Sequence, residues 1–338
     1  MASETRYADR KIPIISLRDF DARIDAITAE LVAAAETDGF FAIVDHGVPW
    51  SEVSAQFAQA ERFFALPDAV KAAVPYTARN VGWERAAQVR PSTGCPDQKE
   101  SYQIQYGPAM QGAWAPEAAL PGFRAATLAF MRRAQAVSER LMVCLARGLG
   151  LGDDGYFVRA HDPAHPDCQT VLRLLRYFPL DLAAPVPDDY HRAGAHADWD
   201  LLTLLFQRPG ENGLEFCPGR EVFTAFGIGD TWTKVEPVEG EIICNIGDLL
   251  MSWSDDRFKS TLHRVRTPRD PAVDYFGPRY SMAYFNQPVK DCQIQGPLKK
   301  YPVITGAEFI QAAIKRNYAA LVARRAMDRE SGMQNETG

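Results

Sequence analysis

The chain has 338 residues, 46% hydrophobic and 24% charged, an ordinary balance for a globular enzyme and length enough for a sizeable core. Lys and Arg number 37 against 43 Asp and Glu, a net charge of −6 that gives no reason to expect nucleic acid or an anionic membrane as partner. Residues 1–11 are polar with no signal-like apolar stretch, no segment has the apolar length to span a bilayer, and the six scattered cysteines include no CxxC pair. Reduced thiols and a cytoplasmic location are therefore expected.

In chain order, Ile12-Pro13-Ile14-Ile15 reads as a short strand, and Ile24, Ile27, Leu31 and Ala34 recur at helical spacing. Asp38-Gly39 ends that helix, and Phe40 to Val44 reads as a buried strand. After the turn His46-Gly47-Val48-Pro49, Ser51 is positioned to cap a second helix with Val53, Phe57, Ala60 and Phe64 on one face. A third, long helix is expected over residues 123–147, stopping at Gly148. From about residue 168 the texture changes to short apolar or alternating runs separated by Gly, Pro and Asp: 171–178, 201–206, 213–216, 231–235, 241–246, 249–253, 259–265 and 280–285. Such a series of short strands points to a β-sandwich or jelly roll. Thr305-Gly306-Ala307-Glu308 is a capping box opening a last helix with Ile310, Ile314 and Leu321, and the tail from Asp328 is polar. The expected organisation is one compact unit: an N-terminal helical and strand region (1–120), a β core with its preceding long helix (121–300), and a C-terminal helix and tail (301–338).

His196-Ala197-Asp198 places an imidazole and a carboxylate two residues apart, on one side of the chain if the segment is extended. His263, in another strand-like run, supplies a second imidazole. Two histidines and one carboxylate on one face of a metal leave positions open for oxygen and an organic co-substrate, as in the Fe(II) facial triad. A short His-x-Asp motif alone is weak, and a lone histidine is more often a core residue. Arg279-Tyr280-Ser281 adds a third piece, since Arg279 and Ser281 share a strand face. A guanidinium beside a hydroxyl suits the far carboxylate of 2-oxoglutarate while its keto-acid end chelates the metal.

The ordered set His196-x-Asp198, His263, Arg279-x-Ser281 resembles the isopenicillin N synthase-like branch of the 2-oxoglutarate/Fe(II)-dependent dioxygenases. The resemblance extends to Ile12-Pro13-Ile14-Ile15-Ser16-Leu17, Asp38-Gly39-Phe40-Phe41, Asp45-His46-Gly47-Val48-Pro49, Phe63-Phe64-Ala65-Leu66-Pro67, Lys99-Glu100-Ser101-Tyr102, Gly247-Asp248-Leu249-Leu250 and residues 279–285, over roughly residues 12–290. It implies an α+β fold with a double-stranded β-helix (jelly-roll) core, Fe(II) as metal, 2-oxoglutarate and O2 as co-substrates, and release of succinate and CO2. It implies metal ligands and catalytic residues His196, Asp198 and His263, with Arg279 and Ser281 on the co-substrate and Tyr177 assisting on the strand before the motif. The oxidised partner would be a small organic molecule, most often hydroxylated, and Asp198 leaves no vacancy for a halide. The alternatives are a family oxidase that does not use 2-oxoglutarate and, from another class, a non-catalytic β-barrel binding protein.

Other clusters carry less. Pro163 opposes a helix in His161-Asp162-Pro163-Ala164-His165, which reads as a loop, and His46 reads as structural. Gly227-Ile228-Gly229-Asp230 lacks the third glycine of a phosphate loop, and there is no Gly-x-Ser-x-Gly elbow. Trp83, Gln103, Trp199, Leu204, Phe206 and Phe285 are candidates for the substrate pocket. Substrate identity and oligomeric state have no readable signature.

Overall fold

The computed structural model describes residues 5–90, 93–187, 190–218 and 231–315; Gly227–Asp230, Leu321 and the polar tail lie outside this range. The N-terminal region holds β1 (Arg6–Tyr7), β2 (Ile14–Ser16), α1 (Phe20–Thr37), β3 (Phe40–Val44), α2 (Trp50–Phe64), α3 (Asp68–Lys71), β4 (Gly82–Arg85) and β5 (Lys99–Gln105). The long α4 (Phe123–Leu149) and short α5 (Tyr156–Ala160) lead into β6 (Val171–Tyr177), β7 (Ala193–His196), β8 (Leu202–Gln207), β9 (Leu214–Cys217), β10 (Thr231–Val235) and β11 (Ile242–Ile246). The series closes with α6 (Asp248–Trp253), β12 (Leu262–Val265), β13 (Arg279–Asn286), β14 (Gln293–Ile294) and β15 (Ile304–Thr305), followed by helical residues 306–315.

Two sheets form the jelly roll. The larger runs β2-β3-β11-β8-β13-β6-β5-β4 and the smaller β1-β10-β9-β12-β7. Successive side chains of a strand point to opposite faces, and the central strands of the larger sheet use both. Leu172 and Leu174 of β6, Leu204 and Phe206 of β8, Cys244 of β11, and Met282 and Tyr284 of β13 join one buried cluster with residues of α1, α2 and α4. The intervening residues, Arg173, Leu175, Tyr177, Thr203, Leu205, Asn245, Ser281, Ala283 and Phe285, line a cavity on the other face. The helices thus cover one face, and the smaller sheet shares the cavity.

Several local expectations change. The residues 249–253 form α6 rather than a strand: a five-residue apolar run fits either, and here Leu249, Leu250, Met251 and Trp253 are all buried from a helical turn. Ser51 lies inside α2, whose N-cap is Pro49, and no side chain caps it. The long helix continues past Gly148 to Gly150, whose φ of 67° supplies the left-handed cap. Strands β4 and β5 have no counterpart among the expected elements; both extend the larger sheet, and every residue of β5 is buried. The capping box holds: Glu308 Oε2 accepts the Thr305 N–H at 2.8 Å and Thr305 Oγ1 accepts the Glu308 N–H at 3.2 Å. Ile310 is buried beneath it.

Gly39 links the N-terminal helix to the core. It has φ +60°, and a Cβ there would stand 1.8 Å from the Lys259 carbonyl oxygen. Around it Lys259 N–H donates to Ala35 O and Ile246 N–H to Gly39 O, so the backbone cannot withdraw without breaking those bonds. Gly39→Ala is expected to destabilise the fold by about 2 kcal/mol or more, read as a lowered denaturant midpoint.

Candidate active site

His196 ends β7, His263 lies in β12, and the two residues are paired across the antiparallel register. Asp198 falls just beyond β7, so the expected extended segment stops short of it; the chain nevertheless returns its carboxylate to both rings. Asp198 Oδ1 lies 4.0 Å from His196 Nε2 and 3.6 Å from His263 Nε2. One potential ligand atom from each of the three residues falls within 4.8 Å of the others, the only such grouping among the described residues.

Each donor is prepared for a cation. Nδ1 of His196 faces Gly194 O at 2.8 Å and Nδ1 of His263 faces Thr261 O at 3.2 Å. A carbonyl only accepts, so Nδ1 carries the proton and Nε2 keeps its lone pair. Burial, followed by the charges of Arg90 and His263, holds His196 well below the usual histidine range and keeps its ring neutral. Asp198 Oδ2 accepts from Thr203 Oγ1 at 2.7 Å and Asn245 Nδ2 at 2.8 Å, leaving Oδ1 for the metal side. Burial pushes this carboxyl up, but the two imidazoles and the Asn245 amide outweigh it and keep it ionised. Phe40 packs beside His263, with ring centroids 6.0 Å apart. Two imidazoles and an ionised carboxylate suit a divalent first-row metal.

Arg279 and Ser281 face the same cavity, and both are about 1% exposed. Arg279 Nε donates to Glu211 O at 3.0 Å and Nη2 to Gln207 Oε1 at 2.8 Å, while its guanidinium lies 5.0 Å from the Tyr177 ring centroid. Nη1 is buried with no hydrogen-bond partner. A buried charged group with an unused donor fits an anionic ligand at this end. Tyr177, at the end of β6, pairs with Arg279 in the sheet register and lines the same wall.

The pocket candidates separate by strand parity. Trp199 and Phe285 line the cavity, whereas Leu204 and Phe206 point into the helix-covered core. Trp83 also packs against that core, its indole N–H donating to Glu100 at 2.8 Å. Gln103 does not line the cavity; it is buried beside Arg173, its cross-strand partner, and accepts from it at 2.8 Å. His46 receives the Val48 N–H and contacts Gly240 O at 3.1 Å, as a structural turn residue would. Sequence reasoning missed Thr203 and Asn245 behind Asp198, and Gln207 and Glu211 behind Arg279. A signal existed for the first pair: a lone Thr in Leu201-Leu202-Thr203-Leu204-Leu205 and a lone Asn in Ile242-Ile243-Cys244-Asn245-Ile246 need polar partners once buried.

A jelly roll with a His-Asp-His centre at one end of its cavity and a buried guanidinium at the other defines a non-haem metal oxygenase architecture. The chain belongs to the 2OG-Fe(II) oxygenase superfamily. That family's model matches residues 168–288, and residues 12–120 match the N-terminal model described as non-haem dioxygenase in morphine synthesis. Proline hydroxylase buaE of Petromyces alliaceus is 31% identical over 289 residues, covering 82% of this chain and 86% of that protein. The crystal structure of a full-length Neurospora crassa protein in complex with alpha-KG aligns with a TM-score of 0.75 at 27% identity, covering 92% of this chain and 98% of that one. The same Neurospora crassa protein in complex with alpha-KG and thymine gives a TM-score of 0.74 at 28% identity, covering 89% and 96%. The protein is a 2-oxoglutarate-dependent Fe(II) dioxygenase that oxidises a small organic substrate, with O2 as oxidant and succinate and CO2 as co-products.

The hydrogen bonds behind Asp198 can be tested directly. Replacing Asn245 by Ala or Thr203 by Val frees Asp198 Oδ2 and is expected to weaken divalent-metal affinity about 10–100-fold, measured by calorimetric titration of the apoprotein. His161 tests a buried imidazole away from the centre: Nδ1–H donates to Phe157 O at 2.7 Å, Nε2 has no partner, and burial pushes its pKa down from 6.5 to about 4. The unfolded chain binds a proton here that the folded chain refuses. Stability should thus be level above pH 6.5 and fall by about 3 kcal/mol as pH drops toward 4. His161→Asn should flatten that part of a pH series of unfolding midpoints.

Proposed function

We propose that the chain hydroxylates its substrate at an Fe(II) held by His196, Asp198 and His263, with the distal carboxylate of 2-oxoglutarate on Arg279 and Ser281 and Tyr177 packed against the guanidinium. The observation that carries this reading is the unpartnered Nη1 of Arg279 in the cavity that also receives the three ligands. Bound Fe(II) supplies the activation of O2 that couples decarboxylation of the co-substrate to oxidation of the substrate.

The residues do the positioning. Gln207 and the Glu211 carbonyl hold two edges of the Arg279 fork, so its remaining donor and the Ser281 hydroxyl face the cavity in a set orientation. Arg279 is lowered by burial from its ordinary value but starts high enough to stay charged at neutral pH. Leu175, Leu205, Leu214, Val265 and Ala283 supply apolar wall between the two ends and exclude water. Asn245 and Thr203 keep Asp198 ionised and directed at the metal side.

Among the described residues no helix is long and apolar enough to cross a membrane, and none of the six cysteines forms a disulfide. Those facts support the proposed cytoplasmic location. The alpha-KG complex of a structural neighbour favours the dioxygenase over an oxidase that dispenses with 2-oxoglutarate.

Anaerobic addition of Fe(II) and 2-oxoglutarate should give the metal-to-ligand visible band, and air should then yield succinate. Arg279→Gln is expected to raise the KM for 2-oxoglutarate about tenfold or more. His196→Ala should abolish both band and turnover. An unchanged KM in the arginine variant would remove the co-substrate assignment.

A further inference from the structure

The cavity is lined by two arginines, Arg90 and Arg173, that the co-substrate does not need. Strand register orders the wall in rows. Arg279, Tyr177 and Lys99 form one row; Ser281, Leu175 and Ser101 the next; Ala283, Arg173 and Gln103 the third. Arg173 is four residues from Tyr177 along β6, about 13 Å in an extended strand. The metal end lies on its side of the wall. Thr203, which holds Asp198, pairs with Phe285, one row beyond Ala283, and Asn245, the other holder, pairs with Thr203. Arg279 and Arg173 therefore stand toward opposite ends of the cavity.

Arg173 is nine-tenths buried and under-compensated. Its Nη2 donates to the neutral Gln103 Oε1 at 2.8 Å, and Nε has no hydrogen-bond partner. The nearest carboxylate oxygen, Glu84 Oε1, is 3.9 Å away and already accepts from Ser101 and Gln88 at 2.9 Å each. The guanidinium lies over Phe285, 5.5 Å from the ring centroid, which fixes its plane in the wall. Gln88 also accepts from Arg90 Nη2 at 3.1 Å, so a continuous polar strap runs from Arg90 through Gln88 and Glu84 to Arg173. Arg90 and Lys99 share the Asp97 carboxylate, at 2.9 and 2.7 Å, and Asp97 in turn accepts the Gly194 N–H at the start of the ligand strand β7. Besides Arg279, three buried cations (Arg90, Lys99 and Arg173) line the cavity, and the carboxylates within ion-pair distance of them are two, Asp97 and Glu84. Leaving a buried charge uncompensated is costly, and a ligand anion relieves it.

We propose that the substrate oxidised here is a small organic acid whose carboxylate is bound by Arg173 at the metal end of the cavity, with Arg90, joined to it through Gln88 and Glu84, adding to the positive field that admits it. Two anions then enter one cavity and are sorted by two guanidiniums: the co-substrate at Arg279 and the substrate at Arg173. This inference rests on the reading that Arg279 takes 2-oxoglutarate.

The test uses the protein loaded with Zn(II), which is inert to oxygen, and saturating 2-oxoglutarate to fill the Arg279 end. Ligand-observed NMR then compares phenylacetate, benzoate and cyclohexanecarboxylate with their primary amides. Carboxylates should bind at least about tenfold more tightly than the matched amides, and Arg173→Gln should erase that difference. Arg173→Lys, which keeps the charge, should restore part of it. Equal binding of acids and amides to the wild type would point to a neutral carbonyl substrate and overturn the proposal. So would a preference that survives in Arg173→Gln, or no binding of any carboxylate. The wild-type acid–amide comparison stands whether or not the variants fold. Binding of 2-oxoglutarate is titrated separately: its failure sinks the co-substrate reading, whereas its success without a carboxylate preference sinks this inference alone.

Discussion

The period-two alternation of four strands is the constraint on which the molecule depends. In β6, β8, β11 and β13 one set of side chains enters the helix-covered core, and the other set faces the cavity. A one-residue slip of β13 would exchange Ser281 and Ala283 for Met282 and Tyr284. Register is held against such a slip because β13 is paired over most of its length on both edges, to β6 and to β8. The apolar parity that buries the helices is thus also what points polar groups at the chemistry.

Much of the buried charge is held by named partners. Asp198 has Thr203, Asn245 and two imidazoles; Glu215 takes Arg264 and Arg266; Glu100 takes Lys71 and Arg176. Breaking one member of such a pair leaves an uncompensated charge. Open donors also occur on Arg176, Arg192 and Arg266, but those on Arg279 and Arg173 belong to residues that line the cavity.

The proposed metal ligands are legible in the sequence because chemistry restricts residue type: His196, Asp198 and His263 keep their order and meet in space, although Asp198 reaches the site from beyond the strand. Arg279 and Ser281 follow for the same reason, since a two-residue spacing on a strand survives any modest error in its ends. The parity of β8 is not legible. In a run as apolar as residues 201–206, nothing in composition says which alternate residues face the cavity, and the expectation that Leu204 and Phe206 line it fails on that account. Strand β5 is hidden for a different reason: Lys99, Glu100, Ser101, Gln103 and Gln105 are polar, and only their mutual pairing allows them to be buried. The run at residues 249–253 is ambiguous because five apolar residues bury equally well in a strand or in one turn and a half of helix.

The contact around Gly39 carries a consequence for how the molecule is assembled. The end of α1 is fastened to the segment leading into β12: Lys259 bonds Ala35, Thr261 Oγ1 donates to the Asp38 carbonyl, and the Thr261 carbonyl orients the His263 ring. The α1–β3 junction, made early on the ribosome, thus waits for a partner that lies far downstream. Until that partner emerges, β3 has no β11 beside it and the nascent chain has no second imidazole to offer a metal. The proposed ligand set is therefore complete only after the last of these strands has emerged, and the oldest part of the chain is one of the supports that hold it.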